Sequence, residues 1–256
     1  MLEIIRDNWL LLLIGQYPNG PLGGLAATLL LAVIGLLLAF PCALALAIAR
    51  VSPIRPVAWA TTGLINIVRG TPFLMVIFWS YFALPLLIGV PISGFWTLIG
   101  ALVLYESAYL AEVIRSGIQA LPKGQTEAAR SLGFGYFRTM FTIVLPQALY
   151  NALPSLLSQF VSLIKETSLG YVISVNEFTF AAVQVNNELL TRPIEVFSIL
   201  AITYFLLCFS LTSAARALEG RVARRRQGQP GGQPDCQSGA APAADTPEIL
   251  ATEPTP

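Results

Sequence analysis

Six ionisable residues lie inside long apolar runs of this chain: Arg69, Glu106, Glu112, Arg115, Lys165 and Glu166. On insertion scales such a group near a bilayer centre costs at least about 2.5–3.5 kcal/mol, so it must face protein, a partner or a water-filled cavity. The chemistry on offer is binding. A guanidinium or ammonium holds a carboxylate, and a carboxylate holds an ammonium. The hydroxyls of Thr71, Thr167 and Ser168 stand beside these charges and add hydrogen-bonding capacity. Covalent chemistry has little to start from. No histidine, the commonest general base, occurs anywhere. No phosphate-cradling G-x-x-x-x-G-K-[ST] loop is present, so hydrolysis of a nucleotide by this chain is not expected. Cys42, Cys208 and Cys236 lack metal-ligand spacing, so neither a metal site nor a cofactor is expected.

The elements that position these charges are membrane helices. Hydrophobic residues make up 55% of the 256 positions and charged residues 11%, against about 25% charged in a soluble domain. The mean hydropathy is +0.69. Net charge is +1, which gives no electrostatic footprint for nucleic acid. A span needs about 20 mainly apolar residues, and five stretches meet that: 25–49, 57–88, 95–118, 149–175 and 196–218. Arg50 and Arg55, then Lys123, Arg130 and Arg138, then Arg221, Arg224, Arg225 and Arg226 fall on one side of a five-span chain. By the bias of Lys and Arg toward cytoplasmic loops, that side is inside, the N-terminus is outside and the C-terminus inside. Residues 1–20 read as an external segment carrying a short interfacial helix, not as a cleavable signal. Residues 21–220 form the membrane domain. Residues 221–256, rich in Pro, Gly and Ala, read as a disordered cytoplasmic tail. No repeat of 20–50 residues is found, which counts against a secondary transporter of inverted repeats.

The inner loop at 122–149 is not merely polar. Glu127-Ala-Ala-Arg-Ser-Leu132 is strong helix-forming sequence. Gly133 supplies a helix stop, and a second amphipathic stretch runs to Pro146. A helix–Gly–helix element on the inner face suits a protein contact, with Ala128 and Ala129 small enough to let a partner surface close in.

In this loop Glu127, Ala128, Ala129, Gly133, Ile143, Leu145 and Pro146 fill every position of a pattern that resembles the EAA loop of importer-type ABC transporter permeases. Leu121-Pro-Lys-Gly-Gln125, Ala108-Tyr-Leu-Ala-Glu-Val-Ile-Arg-Ser-Gly117, Arg69-Gly-Thr-Pro72 and Lys165-Glu-Thr-Ser-Leu169 are similar to the polar-amino-acid subfamily, which includes the histidine and glutamate/aspartate systems. The resemblance implies an all-α permease of the type I importer fold, with five transmembrane helices and a cytoplasmic coupling helix. It implies a dimer of cytoplasmic ATP-binding subunits, a second permease subunit (identical or homologous), a periplasmic amino-acid-binding protein and an inner-membrane location. Hydrolysis would reside in the partner chain. It leans toward glutamate or aspartate as the solute.

On that reading, Arg69 and Lys165 serve a carboxylate, Glu106 or Glu166 an ammonium, and Thr71, Thr167 and Ser168 add hydroxyls. Pairing within the bundle remains the alternative role for Arg69 and Lys165. Glu112 and Arg115, at i,i+3, read as a structural ion pair. A secondary transporter or channel working without an ATPase is the rival function.

Overall fold

The computed structural model describes residues 1–227, with side chains to residue 217. It contains helices and no strand among the described residues. Helix α1 spans Leu2–Ile14 and α2 Gly24–Arg50; α3 is Arg55–Gly70 and α4 Phe73–Ile88. Then follow α5, Gly94–Gln119; α6, Lys123–Ser131; α7, Tyr136–Ile173; α8, Phe178–Leu189; and α9, Pro193–Gln227. Helices α2, α5, α7 and α9 are long and apolar enough to cross a membrane, and the α3–α4 pair makes a fifth crossing if taken as one span.

The bundle closes on α5, the span with most of its surface inside the protein. Helix α2 presents Ala27, Leu31, Gly35, Ala39, Ala43 and Ala47, all buried, in one row at every fourth residue. Small side chains in that row let α2 approach α5 closely, where Leu98, Leu102 and Tyr105 fill the gap. Ala45 is exposed because it lies between rows. Helix α7 lies along the other flank of α5, and α9 packs on α7. A smaller core of Ile4, Leu12, Phe178, Val185 and Val196 joins α1, α8 and the start of α9. The 13 residues of α1 reach about 20 Å, too short for a crossing of about 30 Å. It is tied down by the Met1 ammonium on Glu195 and by Arg192 on Glu3.

Three features differ from expectation. The single second span is two helices bent by 101° at a break between Gly70 and Phe73. Thr71 precedes Pro72 and is held out of the helical region at φ −99°, ψ 132°, because the proline ring clashes with a helical predecessor. The fourth span begins at Tyr136, so the second half of the inner loop already belongs to it. As a result Lys165 and Glu166 fall near the end of the long α-helical stretch Leu145–Thr167, not at mid-span. Finally, α9 runs on to Gln227, so positions 221–227 of the expected tail are helical. The rest of that tail lies outside the described residues.

Both π-helical turns, Trp79–Ala83 and Met140–Val144, end one residue before an X-Pro step, at Leu84-Pro85 and Leu145-Pro146. A proline within a helix offers no N–H and its ring presses on the carbonyl four residues back. The π turn widens the helix there, with Leu145 N–H reaching back five residues to Met140 O and Leu84 N–H to Trp79 O. The helix thus passes Pro146 instead of stopping at it.

Candidate functional site

The charged residues fall into three groups. The first is buried at mid-bundle. Glu106, near the middle of α5, is fully buried. Gln159 of α7 donates its side-chain amide to both carboxylate oxygens, at 3.2 and 3.0 Å. Glu166 lies two turns further along the same face of α7, since seven residues nearly complete two turns. Its carboxyl stands beside that of Glu106, and its Oε2 is buried without a hydrogen-bond partner. The two carboxyls hydrogen-bond each other through a shared proton, and Glu166 Oε2 is left as a buried acceptor that a donor could complete.

The second group continues from the first toward the broken helix. Tyr105 packs between Phe73 and Tyr109, each at a centroid distance of 4.9 Å. The Tyr105 and Tyr109 hydroxyls share a hydrogen bond of 3.2 Å, and Tyr109 donates to the Arg69 carbonyl at 3.4 Å. The Arg69 guanidinium lies 5.1 Å from the centre of the Tyr109 ring, within cation–π range. The break at Thr71 thus sets Arg69 and Phe73 around one edge of the aromatic ladder. Arg69 and Lys165 are exposed and make no salt bridge among the described residues. The three hydroxyls are occupied as donors: Thr71 to Ile67 O, Thr167 to Ile164 O and Ser168 to Lys165 O. Only their acceptor capacity is left for a solute. Thr167 is fully buried.

The third group is an ion triad. Glu112 accepts from Arg115 Nε at 3.0 Å and from its Nη2, the pairing that the i,i+3 spacing predicts. Arg50, at the end of α2, also donates to Glu112. That partner was missed because spacing along one helix says nothing of a residue 62 positions away. Equal bilayer depth, at the inner ends of the first and third spans, was the signal available.

At the same end of the bundle, α6 stands out as a short knob. It stops in a Schellman turn: Phe134 N–H bonds Ala129 O at 3.1 Å and Gly133 N–H bonds Arg130 O at 2.9 Å. Gly133 takes φ +81°, the left-handed conformation that glycine adopts without penalty. Glu127 and Ala128 face outward. Ala129, expected to share that outer face, is buried against the chain, because successive residues of a helix turn by about 100°. Of the rest of the motif, Ile143 and Leu145 turn into α7's packing and Pro146 follows the π turn. Exposed Leu132, Phe137 and Phe141 flank the knob with apolar surface.

Sequence reasoning also passed over Glu177. It caps α8, accepting from Thr179 N–H at 2.8 Å and Phe180 N–H at 2.9 Å, and Tyr204 donates to it at 3.2 Å. Burial pushes this carboxyl up to about 7, although the bonds from Thr179, Phe180 and Tyr204 pull it down. The folded chain then holds a proton that an unfolded chain with an ordinary carboxyl releases. The stabilisation is complete below the ordinary value of 4.5 and is lost as pH rises through about 7. The melting temperature of the wild type is expected to fall between about pH 5 and about pH 8, and this component of the fall should vanish in Glu177→Gln. Parallel pH–melting curves for the two proteins check it.

The described residues thus form a bundle of helices long and apolar enough to cross a membrane, with a carboxyl pair, Glu106 and Glu166, between α5 and α7 and the short helix α6 at one end. Residues 39–224 match the family described as "Binding-protein-dependent transport system inner membrane component". The probable glutamine ABC transporter permease GlnP of Bacillus subtilis is 39% identical over 77% of this chain and 91% of its own length. The glutamate/aspartate import permease GltK of Escherichia coli O157:H7 is 33% identical over 79% and 93%. The crystal structure of an amino acid ABC transporter with histidines superposes with a TM-score of 0.74 at 30% identity, over 86% of this chain and 97% of that one. The chain belongs to this permease family, as the membrane-embedded, non-catalytic subunit of an ABC amino-acid importer.

Proposed function

We propose that this chain forms half of the translocation pathway of an inner-membrane importer for polar amino acids, with its N-terminus outside and its C-terminus inside. A dimer of ATP-binding subunits seats α6 by Glu127, Ala128 and the apolar flank of Leu132, Phe137 and Phe141. A second permease chain, identical or homologous, supplies the other half, and an external binding protein delivers the solute. The observation that carries the reading is the pair of carboxyls in an apolar bundle, Glu106 held by Gln159 and Glu166 beside it. An amino acid brings the ammonium that they lack.

The choice of side chain follows from the same charges. For glutamate or aspartate, the acidic side chain meets Arg69 or Lys165, which carry no salt bridge among the described residues and so are open to it. Competition against labelled uptake by the reconstituted four-subunit complex with its binding protein tests this. Inhibition by glutamate or aspartate at concentrations where glutamine and arginine have no effect is the expected result. Inhibition by glutamine or arginine alone would remove the acidic solutes. Uptake by this chain without the ATP-binding subunits would favour the rival, a secondary transporter or channel.

A further inference from the structure

An open cavity of about 500 Å³ lies at the α6 end of the bundle, lined by the tips of α2 and α5, by α6 and by the first turns of α7. It is separate from the carboxyl pair: Gln119, which lines it, stands 13 residues beyond Glu106 on the same helix, or about 20 Å along the axis. Three cations line it, Arg50, Lys123 and Arg130, and no carboxylate does. Arg50 spends one nitrogen on Glu112, which fixes the guanidinium in place and leaves its other donors free. Lys123 and Arg130 make no salt bridge among the described residues. Thr139 also lines the cavity; it is 3% exposed, and its hydroxyl has no hydrogen-bond partner. Tyr136 closes one side, its hydroxyl spent on Val51 O at 3.2 Å. The remaining wall is mainly apolar.

We infer that this cavity binds a phosphate group, carried by an anionic phospholipid or free in solution. Lys123 and Arg130, with Arg50 partly offset by Glu112, give a net positive cavity, and a phosphate has oxygens enough to accept from all three and from Thr139 at once. Arginine in particular matches phosphate geometry in a bidentate manner. The apolar remainder of the wall accepts the glycerol and first methylenes of a lipid, and basic cavities between membrane helices on the inner side recognise such headgroups. Lys123 and Arg130 ride on α6, while Arg50 ends α2. A phosphate held between them clasps the protruding helix to the bundle. Lipid composition would then bias how freely α6 moves. The site does not depend on which solute is carried.

The test uses the assembled transporter in nanodiscs of phosphatidylcholine with a minor fraction of phosphatidylglycerol, followed by native mass spectrometry of the lipid retained. Wild type should retain phosphatidylglycerol selectively, and Lys123→Gln with Arg130→Gln should weaken that retention about 30-fold, because two of the three cations facing the headgroup are removed. Arg138→Gln, whose side chain stacks on Phe134 outside the cavity, should behave as wild type. Equal melting temperatures show that the variants are folded. If millimolar inorganic phosphate displaces the lipid from wild type, the cavity takes the free anion as well; if it does not, the lipid headgroup is the specific ligand. Equal retention by wild type and the double variant would overturn the assignment.

Discussion

Glu127→Lys is expected to reduce ATP-driven uptake by roughly 100-fold or more, while the chain still folds and inserts. Glu127 is exposed on the outer side of α6, so nothing in the bundle depends on it. The new lysine lies four residues from Lys123 and three from Arg130, and like charges at that spacing cost only a few tenths of a kcal/mol. The cost falls instead on the proposed seat in the ATP-binding subunit. Losing one partner of a desolvated charge contact costs about 2–5 kcal/mol. Co-purification of the ATP-binding subunit and uptake into proteoliposomes check both halves. A variant that keeps the partner and the transport rate would remove Glu127 from the coupling surface.

The second large effect is expected at Glu106. Glu106→Gln keeps the size of the side chain and one acceptor for Gln159, so the contact between α5 and α7 survives. It removes one carboxyl of the pair offered to a solute ammonium. Charge-assisted hydrogen bonds are roughly twice as strong as neutral ones, and a buried oxygen left without its donor costs about 1–3 kcal/mol. Uptake should drop on the order of 100-fold. Thermal stability should hold or rise, because a buried carboxyl beside a second one is a burden on the fold. That split between function and stability separates a solute-binding role from a structural one. A fall in both together would make the Glu106–Gln159 contact a packing device.

Much of the fold was legible in the chain, for identifiable reasons. The α2 row from Ala27 to Ala47 repeats every fourth residue, and that period, with mostly small side chains, marks its buried face. Gly133 declared its left-handed turn, because a stop was needed between two helix-forming stretches. The break at Thr71-Pro72 was equally present in the letters, yet a long apolar run masked it. Hydropathy averages over a bend, so the 101° angle leaves no mark in it.

The start of α7 was misplaced because Pro146 looked like a boundary. A π turn lets the helix run past it, and no sequence period marks such a turn.

At the site, the charges stood out and their partners did not. Glu106 and Glu166 were visible as carboxyls in apolar runs. Gln159, which holds Glu106, is uncharged and drew no notice, although it lies two turns from Glu166. Arg50 was counted only as a loop charge until α2 and α5 were laid side by side. Glu177 drew no notice either, since glutamate is not among the favoured helix caps. Contacts between distant segments are set by packing, and only packing shows them.

The direct measurement is disulfide or short-linker cross-linking from Ala128→Cys, in a background with Cys42, Cys208 and Cys236 replaced, to the ATP-binding subunit of the intact transporter. The position should be shielded from an impermeant thiol reagent added outside, and should cross-link with a yield that changes when ATP is bound. Labelling from outside, or no cross-link in any nucleotide state, would contradict a permease moved by its α6 helix.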